Sequence, residues 1–465
     1  MKRACRRACL AATLAAIALL VLAAQAQAYV SGDLIYAKRI GTSASPAGSR
    51  AVARGPDGVT VVAGCKWSPT LGAWVPMVAK YGASGERRWL RTYPDLGAGR
   101  ASAVAVDRYG GIFVACTVGE GDYAGSGADV VVLRYGSAGA FKWARVYDGP
   151  ASADDHARAL LVDKAGDIVV VGRSMSTTYS WGIVVLKYDR AGGTLWAEPV
   201  RVDADPTDPD AVDVVPHDIA RDADNNIYLG GERTYLYQSG GEGTYEGASE
   251  ALMLKLATDG SVAWERVYDS AADPSSSFEQ VAVRGSTVVG VGRTWPGASA
   301  ALVVKYDLSG TQEYWREWGR STTTGERYSD VVIDGSGYVY VTGSQWSDDW
   351  EKAVTMKLRP DLTTVWKATY LPTSERASGW YLVRNGLGNI YVAGGRWTAQ
   401  RLCDIFTMKY GPAGVRKWLR VWSAGGPDHD EARGLVLGTD GGVHVAGECT
   451  NVADFPQGVL LKYKP

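Results

Sequence analysis

The chain has 465 residues, 46% of them hydrophobic, with 49 basic and 50 acidic residues and a formal net charge of −1. A near-neutral chain with no basic stripe argues against a nucleic-acid partner. Gly and Trp are abundant (57 and 17) and Phe is scarce (5), which fits short strands, tight turns and Trp as the gap-filling side chain.

The first segment reads as a secretory signal. Lys2, Arg3, Arg6 and Arg7 precede an apolar run over residues 10–22, and Ala26-Gln27-Ala28 is an A-x-A cleavage site. Cleavage is expected after Ala28, giving a mature chain of residues 29–465 that is secreted or otherwise extracytoplasmic. The apolar run is short for a spanning helix, so no membrane span is expected in the mature chain. Removal of the segment takes away four basic residues and no acidic ones, leaving the mature chain acidic.

Residues 34–40, LIYAKRI, form one strand. From there to the end a single unit recurs eight times. Its marker is Lys or Arg followed by Tyr or Leu at the end of an apolar strand: Lys80-Tyr81, Arg134-Tyr135, Lys187-Tyr188, Lys255-Leu256, Lys305-Tyr306, Lys357-Leu358, Lys409-Tyr410 and Lys462-Tyr463. The markers stand 50 to 54 residues apart except for the step from 187 to 255. Length alone would allow two or three domains. A fixed period of this size points instead to a propeller or solenoid, and no polar capping repeats stand at the ends as a solenoid requires.

An apolar strand ending in Gly precedes the markers (Gly64, Gly172, Gly230, Gly292, Gly343, Gly394, Gly447), with Cys116 in that place in repeat 2. A turn and a Trp follow seven of them: Trp89, Trp143, Trp196, Trp264, Trp315, Trp366 and Trp418. The eighth marker has no room for this last strand. Residues 34–40 supply it, with Tyr36 in the Trp place, which joins the two ends of the chain in one blade and removes an open sheet edge. The expected fold is therefore all-β, a single eight-bladed propeller over residues 29–465. Its four-stranded blades carry strands a to d in chain order, a innermost. Blades 1 to 7 end near 96, 150, 205, 272, 320, 371 and 425.

The a–b turns (beginning at Asp107, Asp163, Asp222, Asp334) and c–d turns (at Asp189, Asp307) are short and repeated, with Asp capping the turn and Gly taking positive φ. The d–a and b–c loops are longer and individual, and function is expected on their face. Blade 4 has the largest b–c insertion, residues 232–249. Aromatics outside the repeated register, namely Trp74, Tyr179, Tyr235, Tyr237, Tyr245 and Trp350, are candidate stacking platforms. Trp67, Trp295, Trp346 and Trp397 recur three residues after the strand-b Gly and are read as packing between blades.

Asp154, Asp155, His156, His217 and Asp218 lie at the entry to strand a in neighbouring blades 3 and 4 and are expected to converge at the channel mouth as a polar cluster. His429 is placed similarly in blade 8. Asp222-x-Asp224-x-Asn226 resembles the start of a calcium loop but has Ile227 where Gly is required and Arg233 where Glu is required. No metal or cofactor is expected. Cys5 and Cys9 leave with the signal. If bridges form among the remaining four cysteines, Cys65 with Cys116 and Cys403 with Cys449 are the neighbouring-blade pairs.

The motif DIFTMKYGPAGVRKW…GG (residues 404–426), preceded by GNIYVAG (residues 388–394), resembles the secreted bacterial SBBP-type β-propeller repeat, and Asp454-Phe455-Pro456 is similar to a further segment of it. The resemblance covers nearly the whole mature chain and implies an extracellular binding or surface protein with no defined activity. Residues 189–196 are also similar to the docking motif of quinoprotein dehydrogenases. That family's adjacent cysteines are missing here, and the shared motif is a hairpin with an inter-blade Trp. The chain is thus expected to be a monomeric, non-enzymatic binder of a polysaccharide, a cell-surface component or a protein. The alternative is a secreted polysaccharide hydrolase or lyase with carboxylates from Asp154, Asp155, Asp218 or Glu279 at the channel.

Overall fold

The computed structural model describes residues 32–465 except 43, 120–126, 178–179, 197–199, 203–210, 239–244, 269–274, 296–298, 322, 348, 373–375, 398–402, 426–428 and 451–455. These residues form an all-β, propeller-type architecture with no α-helix and one 3-10 turn at Pro56–Gly58. Repeats 2 to 7 each make a four-stranded antiparallel sheet in chain order. Repeat 8 and repeat 1 are joined in an eight-stranded sheet through one parallel bridge, Ala47 to Gln457. Leu34–Ile40 pairs antiparallel with Pro456–Tyr463, so the N-terminal strand does complete repeat 8.

The first strand of each repeat packs on the first strand of the next, and that of repeat 8 on that of repeat 1. One apolar cluster fills each junction. Between repeats 8 and 1 it contains Tyr36, Ile40, Met77, Tyr81 and Leu460.

The recurring Lys and Trp have a shared task. Trp89, Trp143, Trp196, Trp264 and Trp366 donate their indole N–H to backbone carbonyls of the next repeat's c–d turn, at 3.0 to 3.2 Å. The marker lysines Lys80 and Lys255 donate to the same carbonyls as Trp89 and Trp264, those of Ser137 (2.8 Å) and Leu308 (2.9 Å). Lys462 of repeat 8 donates to Ala83 O of repeat 1 at 2.8 Å. The Tyr36 ring lies against Gly85 of that same turn, so close that an added Cβ would stand 2.6 Å from it. A buried indole N–H without an acceptor costs about 1–3 kcal/mol, which the turn carbonyl offsets in these five repeats; Trp418, whose Nε1 is buried with no acceptor among the described residues, is an exception.

Trp315 departs from its expected place. Tyr314 pairs with Lys305 and Trp315 with Val304, one residue out of the register in which Trp264 faces Lys255. Trp315 is 48% exposed and packs on Tyr268, 5.9 Å away. The facing turn of repeat 6 carries Leu362 at φ 62, where six other repeats carry a positive-φ glycine. Its buried side chain takes the space an indole fills elsewhere.

Neither of the two cysteine bridges is present: Cys65, Cys116, Cys403 and Cys449 are buried and not joined by disulfides. Each sits inside a strand ladder, Cys65 between Gly48 and Pro76 and Cys116 between Ala101 and Val131. The apolar cluster around Cys116 fills the junction between the two sheets.

Candidate functional site at the inner strands

All eight inner strands share one irregularity. Their pairing with strand b slips by one residue at Ser49/Ala51, Ala101/Ala103, Ala157/Ala159 and Pro216/Asp218. It slips again at Phe278/Gln280, Tyr328/Asp330, Gly379/Tyr381 and Ala432/Gly434. A β-bulge leaves one residue out of the ladder and re-aims its side chain. The extra residues are Arg50, Ser102, Arg158 and His217, then Glu279, Ser329, Trp380 and Arg433.

These eight residues line three adjoining cavities of about 620, 500 and 420 Å³. Arg50 stands in the first, and Ser102, Arg158 and His217 in the second. The third is bounded by Arg158, His217, Glu279, Ser329, Trp380 and Arg433, from six successive repeats. Arg100 borders both the first and the second cavity, and Arg158 and His217 border both the second and the third.

His217 is the centre of a carboxylate pair. Its Nδ1 lies 3.4 Å from Glu279 Oε2 and its Nε2 3.8 Å from Glu232 Oε1. Burial drives the Glu232 carboxyl up, against the pull of His217. Burial alone would also raise Glu279, but its hydrogen bond and charge interaction with His217, together with Arg293, hold it well below the usual carboxylate range. Arg433 is paired with Glu431 at 2.5 Å.

The expected polar cluster is half assembled. His156 and His217 do meet in one cavity, with Arg100, Arg158 and Arg173. Asp154 turns to the backbone, accepting from Gly127 N (3.1 Å) and Ala128 N (3.2 Å). Asp155 is buried and accepts from Gly149 N at 2.5 Å. Its carboxylate lies within 4.8 Å of those of Asp129 and Asp148, and burial pushes its carboxyl up to about 6. Asp218 accepts from Val281 N of the next repeat (3.2 Å), and Asp330, at the same register in repeat 6, accepts from Leu382 N (2.6 Å). Burial raises both to about 7. Of the carboxylates considered from the sequence, only Glu279 reaches the cavities.

The aromatics also redistribute. Trp74 is the cross-strand partner of Trp67, with rings 5.7 Å apart, and both line the first cavity with Arg50. Trp350 is half-buried with Lys352 Nζ 4.6 Å above its ring. Tyr235 is half-buried in strand b of repeat 4. Tyr179 lies outside the described residues. Tyr237 and Tyr245 are placed by strand pairing only, with their side chains outside the described ones. Trp67, Trp295, Trp346 and Trp397 are half-exposed at the ends of strands b, beside the inner strands. Trp397 packs edge-on against channel-lining Trp380 (5.7 Å), and Arg293 lies 4.6 Å above Trp295. Trp67 thus lines a cavity and Trp397 backs Trp380, whereas Trp295 and Trp346 line none of the three cavities.

Asp222 accepts from Asp224 N (2.8 Å), Asn226 N (3.0 Å) and Tyr228 OH (3.1 Å), so the calcium-like sequence is a self-capped turn.

His217 and Glu279 were singled out in the sequence for their chemistry; the other six bulge residues were missed because alternation of period two does not mark an inserted residue. A signal existed: seven of the eight, all but Glu279, stand five residues before the first residue of the a–b turn, as with Ser102 and Asp107, Arg158 and Asp163, or Trp380 and Asn385.

No protein-family model and no curated protein matches the chain. Solved structures similar to it include the β-propeller domain of the Trilobed protease from Pyrococcus furiosus, described as having an open velcro topology. It has 11% identity and TM-score 0.43, covering 79% of this chain and 95% of that one. A periplasmic gluconolactonase of Pseudomonas aeruginosa is 12% identical at TM-score 0.43, covering 82% of this chain and all of that one. Drosophila Plexin A, solved in complex with Semaphorin 1b, is 9% identical at TM-score 0.41, covering 94% and 88%. At such distances the function must be argued from this chain's own residues.

Proposed function

We propose that the chain is an exported, non-enzymatic binding protein built as an eight-bladed propeller, with its ligand seated at the channel mouth. The eight repeats, the pairing of Leu34–Ile40 with the last strand and the inner-strand contact of repeat 8 with repeat 1 support a closed ring. The N-terminal signal and the SBBP-type resemblance support export. A polysaccharide, cell-surface component or protein enters from the face of the long d–a and b–c loops.

One observation carries the reading. A bulge at the same register of every inner strand places Arg, His, Glu, Ser and Trp side chains along adjoining cavities. Bulges recur where a side chain must be re-aimed, and half-exposed Trp around them offers stacking area. The test is retention of the mature protein on a glycan and cell-wall array, with Trp380→Ala beside it. Retention lost in Trp380→Ala but kept in Trp315→Ala, on the outer strand, is expected. Equal loss in both would refute the placement.

The hydrolase or lyase reading survives on a different observation. Glu232 and Glu279 flank His217 with protonation tendencies pushed apart, the pattern of a general acid and base. Cleavage of any glycan by wild type, abolished in Glu279→Gln, would favour it.

A further inference from the structure

The cavity of about 500 Å³ between repeats 2, 3 and 4 is strongly basic. Arg100 comes from the inner strand of repeat 2, Arg158 from the bulge of repeat 3 and Arg173 from the facing strand b. His156 and His217 complete its polar wall, and Glu232 is its only lining acid among the described residues. The Arg173 guanidinium is held 4.1 Å above the Trp181 ring. His156 packs on the other side of the wall, its ring 5.4 Å from that of Trp181. Of the nearby acids, Asp213 accepts from Trp181 N at 2.7 Å and Asp154 from Gly127 N and Ala128 N, and both still act on Arg173 through their charge. No ion-pair partner of Arg158 is recorded among the described residues. Arg100, Arg158 and Arg173 thus line one space whose wall holds a single carboxylate among the described residues.

We infer that this cavity is an oxyanion pocket that takes a carboxylate or phosphate group of the ligand, so that the bound saccharide is an acidic one. Planar guanidiniums match both groups through paired N–H donors, and such charge-assisted bonds are the strong ones. The electrostatics agree with this placement: burial and then the Arg158 charge lower the proton affinity of Arg173, outweighing the opposite pull of Asp213 and Asp154, so a further anion is favoured there. Trp181 fixes one guanidinium plane, and half-exposed Trp380 and Trp67 lie along the neighbouring cavities for the sugar rings.

The inference rests on the channel-mouth reading and is tested separately from it. Calorimetric titration of the mature protein uses tetragalacturonate, its methyl ester and inorganic phosphate, each with wild type, Arg158→Gln and Arg158→Lys. The acid should bind at least tenfold more tightly than the ester, weaken with salt, and lose on the order of tenfold in Arg158→Gln, with partial rescue in Arg158→Lys. Phosphate binding with the same Arg158 dependence, without uronate binding, would keep the pocket and make the ligand a phosphorylated one. Acid and ester bound equally would overturn the inference and leave the channel reading standing. No binding of the saccharides or phosphate would overturn the pocket outright, and failed array retention would then remove the channel reading too. If Arg158→Gln does not fold, the acid-to-ester ratio and its salt dependence in wild type still decide.

Discussion

Ile40→Ala should weaken the whole molecule although it lies near the N-terminus. Ile40 is fully buried in the cluster shared by repeats 8 and 1, whereas Leu34 on the same strand is 44% exposed. Gly458 faces it across the ladder, where a Cβ would stand 3.3 Å from the Ile40 Cβ. The site is closely packed, and truncation there leaves a cavity that neighbours fill only in part. Such substitutions cost about 2–5 kcal/mol, and we take about 3 kcal/mol here. Unfolding entropy near 2.1 cal/mol/K per residue over roughly 430 residues gives about 0.9 kcal/mol/K, so the midpoint should fall by about 3 °C. Thermal melts followed by tryptophan fluorescence, at fixed scan rate, check this. Leu34→Ala should move the midpoint by less than about 1 °C. If the two variants melt alike, the N-terminal strand does not hold the ring together and the closure argument is wrong.

Other outcomes follow from buried titratable groups and thiols. His444 is fully buried, with Nδ1 2.9 Å from Thr60 Oγ1; burial, then the Lys462 ammonium, lower it to about 4. The unfolded chain binds this proton below about pH 6.5 and the native one does not, so stability present at neutral pH is lost as pH falls toward 4, by about 3 kcal/mol. His444→Gln should flatten that limb in denaturant titrations at stepped pH. Asp330 runs the other way: its native carboxyl near 7 holds a proton that the unfolded chain releases near 3.8, so its contribution falls as pH rises through that window. The full shift corresponds to about 4 kcal/mol, halved to about 2 kcal/mol because the residue is only partly buried. Asp330→Asn should shrink the stability difference between pH 5 and pH 8 by that amount. Burial raises the thiols of Cys65, Cys116 and Cys403. The mature protein should therefore show no reactive thiol when native and four in denaturant without reductant, and fewer than four would restore a bridge. Trp264→Phe should cost about 1 kcal/mol beyond its lost packing, measured against Trp315→Phe, because only Trp264 donates to a turn carbonyl of the next repeat.

The repeat period, the Lys-Tyr marker and the replacement of Trp by Tyr36 were legible because each is local, and recurrence makes a local pattern conspicuous. Those features fixed the all-β unit and the partner of the first strand. What the markers do was not legible. The carbonyl that Trp89 and Lys80 share belongs to Ser137, some fifty residues on, and comes within reach only when the next sheet packs. Trp315 looked like its homologues until the ladder placed it one residue off. The candidate site was the least legible part. Alternation tells which face of a sheet a residue occupies, but a bulge inserts a residue that belongs to neither face, so Arg158 and Trp380 did not stand out, and His217 did so only as a histidine at the entry to an inner strand. Their side chains, from repeats 3, 4 and 7, share one cavity only because every inner strand bends at the same register around a common space.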